Sequence, residues 1–278
     1  MNALIRQPVY GNFRFYPGTV CRIFLNDLPI FQGYIGNGFS QNGRILHFLV
    51  PEENELKLEI LAAPKPKGGR LAYEPDPRPE MKGEDTNQSI EITLFKERAP
   101  ETGEIEVLYH CMFPDLWKDV PEERRRLPYM HVAHFDPRVI VPKLSFLSAP
   151  SHEVPCEGTA ELHQALRDLH DAFTSRDAQR LGDLMELQMA EFENAYDGAS
   201  GSSLTAQREA LDELVGERIV VEPLDFPQTH FHARAQGRVV HVERVDRRPV
   251  IDVKTIGKPQ GHASDPVFTH HQGRWRLM

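Results

Sequence analysis

Up to residue 150 the apolar positions recur at every second residue. In ELKLEIL, Leu56, Leu58 and Ile60 take one face while Lys57 and Glu59 take the other. SIEITLFKER repeats the device with Ile90, Ile92 and Leu94. GTVCRIFLNDLPIF, GRILHFLVPEENELKLEILAAP and EIEVLYHCMF are further strand stretches, punctuated by Gly, Asn and Pro. No stripe at helical spacing exceeds about two turns in this half. Several such strands predict an antiparallel β-sandwich over residues 1–150. Two stretches interrupt the pattern. Residues 63–87, rich in Pro, Gly and charge, read as a long exposed loop. Residues 113–144 are broken by prolines, with a short helix expected around Glu122 to Arg126.

From residue 159 the period changes. Leu162, Leu166, Leu169 and Phe173 recur at spacings of four, three and four, one face of a helix. Asp177 suits the N-cap of a second helix carrying Leu181, Leu184, Met185, Phe192 and Tyr196, with Gly198 at its end. After GASGSS, a third helix, LTAQREALDELVG, carries Leu204, Leu211 and Leu214 and closes at Gly216. Strands follow: RIVVEPL, HFHARAQ, RVVHVERV, PVIDVKT, PVFTHHQ and RWRLM. Residues 159–278 therefore predict three helices on a curved antiparallel sheet, an α+β layout. Residues 151–158 read as a linker, with Pro150 and Pro155 keeping the chain extended. In the closing HHQGRWRLM, Gln272–Gly273 make a hairpin turn, and Trp275 and Leu277 share the face that seals the core. His270 and His271 then point to opposite faces, so they cannot chelate one metal without a bulge.

Composition narrows the function. A chain of 278 residues is long for one unit and comfortable for two. Cys21, Cys111 and Cys156 are odd in number and widely spaced, which suggests neither a disulfide framework nor a zinc knuckle. MNALIRQPVYGNFRFYPG holds no apolar run long enough for a signal peptide or a membrane span. A cytoplasmic setting is the expectation. The net charge of −9 argues against nucleic acid as a partner and is compatible with a basic protein partner.

The titratable residues form no familiar catalytic motif. There is no HExxH, GxGxxG, Walker loop or GxSxG, and the glycine-rich GYIGNGF precedes no helix. His131 and His134, followed by Asp136, have turn and packing roles as the default, and His163 and His170 read as surface helix residues. On the last strands the apolar set should face the helices. His230, His232, Arg234, His241, Glu243, Asp252 and Lys254 then fall on one outer sheet face, an open polar surface expected to contact a partner. A metal held by His230 and His232 with His241 or Asp252 is the competing use of that face; no metal or cofactor is expected.

LHQALRDLHDAFTSRDAQRLGDLM and PVFTHHQGRWRLM, with Asp177 between two helices and Gly273 and Trp275 in the closing hairpin, resemble the NTF2-like (SnoaL-like) superfamily. The resemblance covers roughly residues 160–278 and implies a cone-shaped α+β domain. LNDLPIF followed by VPEENELKLEIL is similar to galactose-binding-like jelly rolls, with Glu53 where a Gly is usual. There Asn26–Asp27 suits a turn, and Asn54 can fix its own loop by side-chain hydrogen bonds. The expected function is a non-enzymatic protein-binding or accessory role, such as toxin neutralisation of the immunity type. A homodimer through the C-terminal sheet would compete for the same face. The first alternative, implied by the NTF2-like resemblance, is a small-molecule isomerase, dehydratase or cyclase with its groups inside the cone: Asp225 or His230, or Tyr196 and Glu193. The second alternative is carbohydrate binding, with Tyr34, Phe39 and Tyr73 stacking on a sugar ring.

Overall fold

The alternation in the first half produces strands within the stretches that showed it, but Val9–Phe15 and Phe39–Arg44 are strands that the pattern did not mark, and Leu46–Phe48, inside a stretch read as strand, forms a 3-10 turn. The structure, a computed structural model, describes residues 8–15, 19–34, 39–62, 66–67, 70–71, 90–99, 103–113, 115–118, 120–121, 128–196, 204–245, 248–257 and 261–278. The chain divides into two units, Met1–Pro142 and Lys143–Met278.

The first unit holds β1 (Val9–Phe15), β2 (Thr19–Leu25), β3 (Leu28–Tyr34), β4 (Phe39–Arg44), β5 (Asn54–Ala62), the short β6 (Pro66–Lys67) and β7 (Arg70–Leu71), then β8 (Ile90–Ala99), β9 (Glu104–Phe113) and β10 (Tyr129–Phe135). Among the described residues β6 and β7 pair only with each other. The rest form two antiparallel four-stranded sheets, ordered β4-β1-β8-β9 and β10-β5-β2-β3. Their inner faces meet through Phe13 and Phe31, rings 6.2 Å apart, and Phe113 and Tyr129, 6.0 Å apart. The inward sets Leu56, Leu58, Ile60 and Ile90, Ile92, Leu94 are all 1% exposed or less, as alternation requires. Asn26 and Asp27 both take positive φ, 54° and 64°, and turn β2 into β3. Most of the expected loop at 63–87, and the expected helix at Glu122 to Arg126, lie outside the described residues.

The second unit begins earlier than the pattern suggested. Residues 151–158, read as a linker, are tied into it. His152 N–H donates to Gly237 C=O at 2.8 Å, and Phe231 N–H to Cys156 C=O at 2.8 Å. Gly158 takes φ +82°, and a Cβ there would sit 2.6 Å from the Phe231 ring. No alternation marks this stretch as structured, because what holds it is backbone bonding to residues about eighty positions away, Phe231 in a strand and Gly237 in the turn that follows.

Among the described residues four helices follow where three were expected: α1 (Ala160–Thr174), α2 (Ala178–Leu184), α3 (Glu186–Tyr196) and α4 (Leu204–Gly216). Thr159 caps α1 by accepting from Leu162 N–H at 3.3 Å. Asp177 caps α2 by accepting from Arg180 N–H at 2.9 Å, as the sequence indicated. The anticipated second helix is interrupted at Met185, whose ψ of 1° ends α2 before α3 starts. Helical periodicity continues across such a break, so the pattern alone does not reveal it.

The strands β11 (Ile219–Val221), β12 (Thr229–Arg234), β13 (Val239–Arg244), β14 (Ile251–Thr255), β15 (Gly261–Ser264), β16 (Val267–His271) and β17 (Arg274–Leu277) form two hydrogen-bonded sheets and not the single one expected. The orders are β11-β14-β15 and β12-β13-β16-β17, all antiparallel. The run 261–271 passes from one sheet to the other at Asp265–Pro266, where proline has no N–H to donate. Asp265 Oδ1 accepts from Val250 N–H at 2.9 Å at this junction. The core joins Leu162, Leu166, Leu169 and Phe173 of α1 to Phe231, Val240, Val242, Ile251, Val253 and Phe268. The fold is thus β-rich in the first unit and mixed α+β in the second. No helix of the described residues is long and apolar enough to cross a membrane.

Candidate functional site

The seven residues expected on one open face are only partly brought together. His230, His232 and Arg234 lie on β12, and His241 and Glu243 pair with them across β13 in the register His230↔Glu243 and His232↔His241. His232 Nε2 stands 2.9 Å from Glu243 Oε1, and the His230 and His232 rings are 6.1 Å apart. His241 and Glu243, however, are 1% and 9% exposed, and every residue of β13 is buried. Asp252 and Lys254 belong to β14, in the other sheet. The polar surface is therefore neither continuous nor open at its centre. Alternation assigns residues to faces, but it does not reveal what covers a face. β13 is an interior strand between β12 and β16, and the turn Ser145–Ser148 lies against β16.

Lys254 is engaged instead with Glu222, and its ammonium lies 3.7 Å from Asp252 Oδ2. The hydrogen bond from Lys254 holds the Glu222 carboxyl below the ordinary range, and the same bond raises Lys254. This is an exposed ion cluster, which contributes little to stability.

The other candidates are dispersed as well. His131 Nε2 lies 3.0 Å from Tyr109 Oη, His134 stands 3.6 Å from Glu53, and Asp136 accepts from Arg138 N–H. His163 and His170 bond the carbonyls of Glu157 and Glu222. Asp225 pairs with Arg244 at 3.3 Å, and Tyr196 is buried against Phe192. Glu193 is half-buried on α3. Tyr73 and the side chains of Tyr34 and Phe39 lie outside the described residues. Among the described residues no three His, Cys, Asp or Glu side chains stand together so as to hold a metal ion.

What the second unit does contain is a groove of about 340 Å³ between α1 and the β16–β17 hairpin. One wall is Glu161, Gln164, Ala165, Asp168 and Leu169, successive positions on one helical face. The other is the consecutive run Gly273–Leu277, with Phe268 and His270 beside it. Asp168 Oδ1 accepts from Arg180 at 2.8 Å and from Gln164 at 3.2 Å, so two donors orient it. Trp275 packs on His270 and His152 at ring distances of 5.3 and 5.2 Å. His152 is itself 4.6 Å from His270, and Ser151 Oγ donates to Gln236 C=O, fixing the segment that carries it.

None of the groove's polar residues was among the sequence candidates. Glu161, Gln164 and Asp168 border the apolar stripe of α1 and read as an ordinary solvated flank. Nothing local states that the last hairpin, more than a hundred residues later, stands opposite. The hairpin itself was legible. Gln272 and Gly273 take φ of 51° and 80°, and Trp275 and Leu277 pack against the core as expected.

In comparisons with family models, with curated proteins and with solved structures, nothing matches this chain.

Proposed function

We propose that this chain is a binding protein whose second unit is an NTF2-like cone, and that the groove between α1 and the β16–β17 hairpin is where its ligand sits. The single observation carrying this is the groove of about 340 Å³, which lies within the range of ligand sites. Its composition supports recognition: an apolar floor of Leu169, Phe268 and Leu277, with oriented polar groups at the rim. Asp168 is held by two donors, and Trp275 is fixed by two imidazole rings. Side chains restrained in this way suit binding, because little ordering cost remains on association. The capped helix pair joined at Asp177 and the closing Gln272–Gly273 turn with Trp275 support the NTF2-like reading of the scaffold. The first unit is proposed as a jelly-roll module, whose Asn26 and Asn54 serve its own turns.

The test is a thermal-shift screen of small-molecule and peptide libraries against the wild type and two filled-groove variants, Ala165→Trp and Gln164→Trp. Gln164 is exposed, so the second variant keeps its fold even where the first does not. Ligands that raise the melting temperature of the wild type should lose their effect on Gln164→Trp. Ligands that shift both equally would remove the groove from the account.

A further inference from the structure

The charged groups of the groove differ in whether the chain has already matched them. Asp168 is matched: Arg180 donates to its Oδ1 at 2.8 Å, and Gln164 adds a second bond at 3.2 Å. Three other charged side chains line the groove, Glu161 on the α1 wall and Arg274 and Arg276 on the hairpin wall. None of the three has a hydrogen bond or ion pair with a described residue. Arg274 and Arg276 are two apart on β17, so both side chains leave the strand on the same side, with Cα atoms about 7 Å apart. At that spacing two forked donors can serve one anionic group. Glu161 stands in the first turn of α1, on the facing wall. Leu169, Leu184, Phe268 and Leu277 add apolar lining, and Trp275 is held against His270.

We infer that the groove takes a small amphoteric molecule with an apolar body, its carboxylate on Arg274 and Arg276 and its ammonium on Glu161. This names the ligand class of the groove and rests on the groove being the binding place. A purely cationic ligand would meet two guanidiniums and leave both without an anion. A purely anionic ligand would meet Glu161, and the net charge of −9 would oppose its approach. A molecule with one charge of each sign and no net charge escapes both costs. Selectivity has the same origin, because a ligand that lacks either group leaves a charged side chain of the groove facing it without a partner.

The experiment is calorimetric titration of the full chain with three matched probes: the free dipeptide phenylalanyl-leucine, its N-acetyl derivative and its C-terminal amide. The free dipeptide should bind about fivefold or more tighter than either derivative. Changing both arginines, Arg274→Gln with Arg276→Gln, should erase the difference between the free dipeptide and its amide and keep the loss on acetylation. Glu161→Gln should do the converse. Glu161 and Arg274 are exposed, and the melting temperature of each variant checks its fold. A derivative that binds as tightly as the free dipeptide overturns the amphoteric ligand, and so does failure of all three probes to bind. If the probes bind equally and are lost on Gln164→Trp, the groove remains the binding place and only the ligand class falls. Probes that bind Gln164→Trp as tightly as the wild type overturn both.

Discussion

Asn54 shows how a single polar residue can organise a loop from inside the core. It is fully buried, and its side chain is saturated. The Oδ1 accepts from Val50 N–H at 2.9 Å and from Asn26 Nδ2 at 2.7 Å; the Nδ2 donates to the carbonyls of Val50 and Glu52. Asn54→Ala strands these partners, and we expect a loss of about 3 kcal/mol in urea denaturation of the first unit. Gly158 is the counterpart in the second unit. Gly158→Ala combines a left-handed φ with a Cβ driven into Phe231, and should cost about 2–4 kcal/mol. His47 ties stability to pH. It packs on Phe48, ring to ring at 4.1 Å, and burial lowers its pKa from 6.5 to about 3. The folded value lies below the unfolded one, so this stability is present above about pH 6.5 and is lost as pH falls toward 3. Its contribution to the slope is at most about 1.4 kcal/mol per pH unit. His47→Gln should flatten the difference between unfolding curves at pH 7 and pH 4.5; an unchanged difference would place the acid sensitivity elsewhere. Asn26, Asp27 and Asn54 were legible from their chemistry. The burial of His241 and Glu243 was not, because it depends on neighbours that no short window of sequence contains.

At the scale of elements, the two tight hairpins were the most legible features. Asn26–Asp27 and Gln272–Gly273 each place two residues at positive φ, the backbone that matches the twist of paired strands. Gln272 is the poorer choice for that conformation. Gln272→Asn should stabilise the second unit by about 0.5 kcal/mol in chemical denaturation, since Asn tolerates the left-handed region better. A neutral or destabilising result would show that the Gln272 side chain contributes more than its backbone geometry. The break at Met185 and the switch of sheets at Asp265–Pro266 were harder to read. The break at Met185 falls inside a stretch that reads as one helix, and Gly261–Ser264 carries no apolar alternation that would mark it as a strand of another sheet. The stretch 151–158 was misread for a related reason: its role lies in backbone bonds to Gly237 and Phe231, and backbone bonds leave no composition signal.

At the scale of the whole molecule, the two units divide the work differently. In the first, the buried polar network at Asn26 and Asn54 serves the turns of its own sheets. In the second, residues 151–158 bond to Gly237 and Phe231, and a groove lies between α1 and the β16–β17 hairpin. The proposed function depends on that groove. The measurement that tests it most directly is the affinity, for Gln164→Trp, of a ligand that raises the melting temperature of the wild type. The account predicts binding weakened by about tenfold or more. Equal affinity for the two proteins would mean that the ligand sits elsewhere and that the groove is not the binding place.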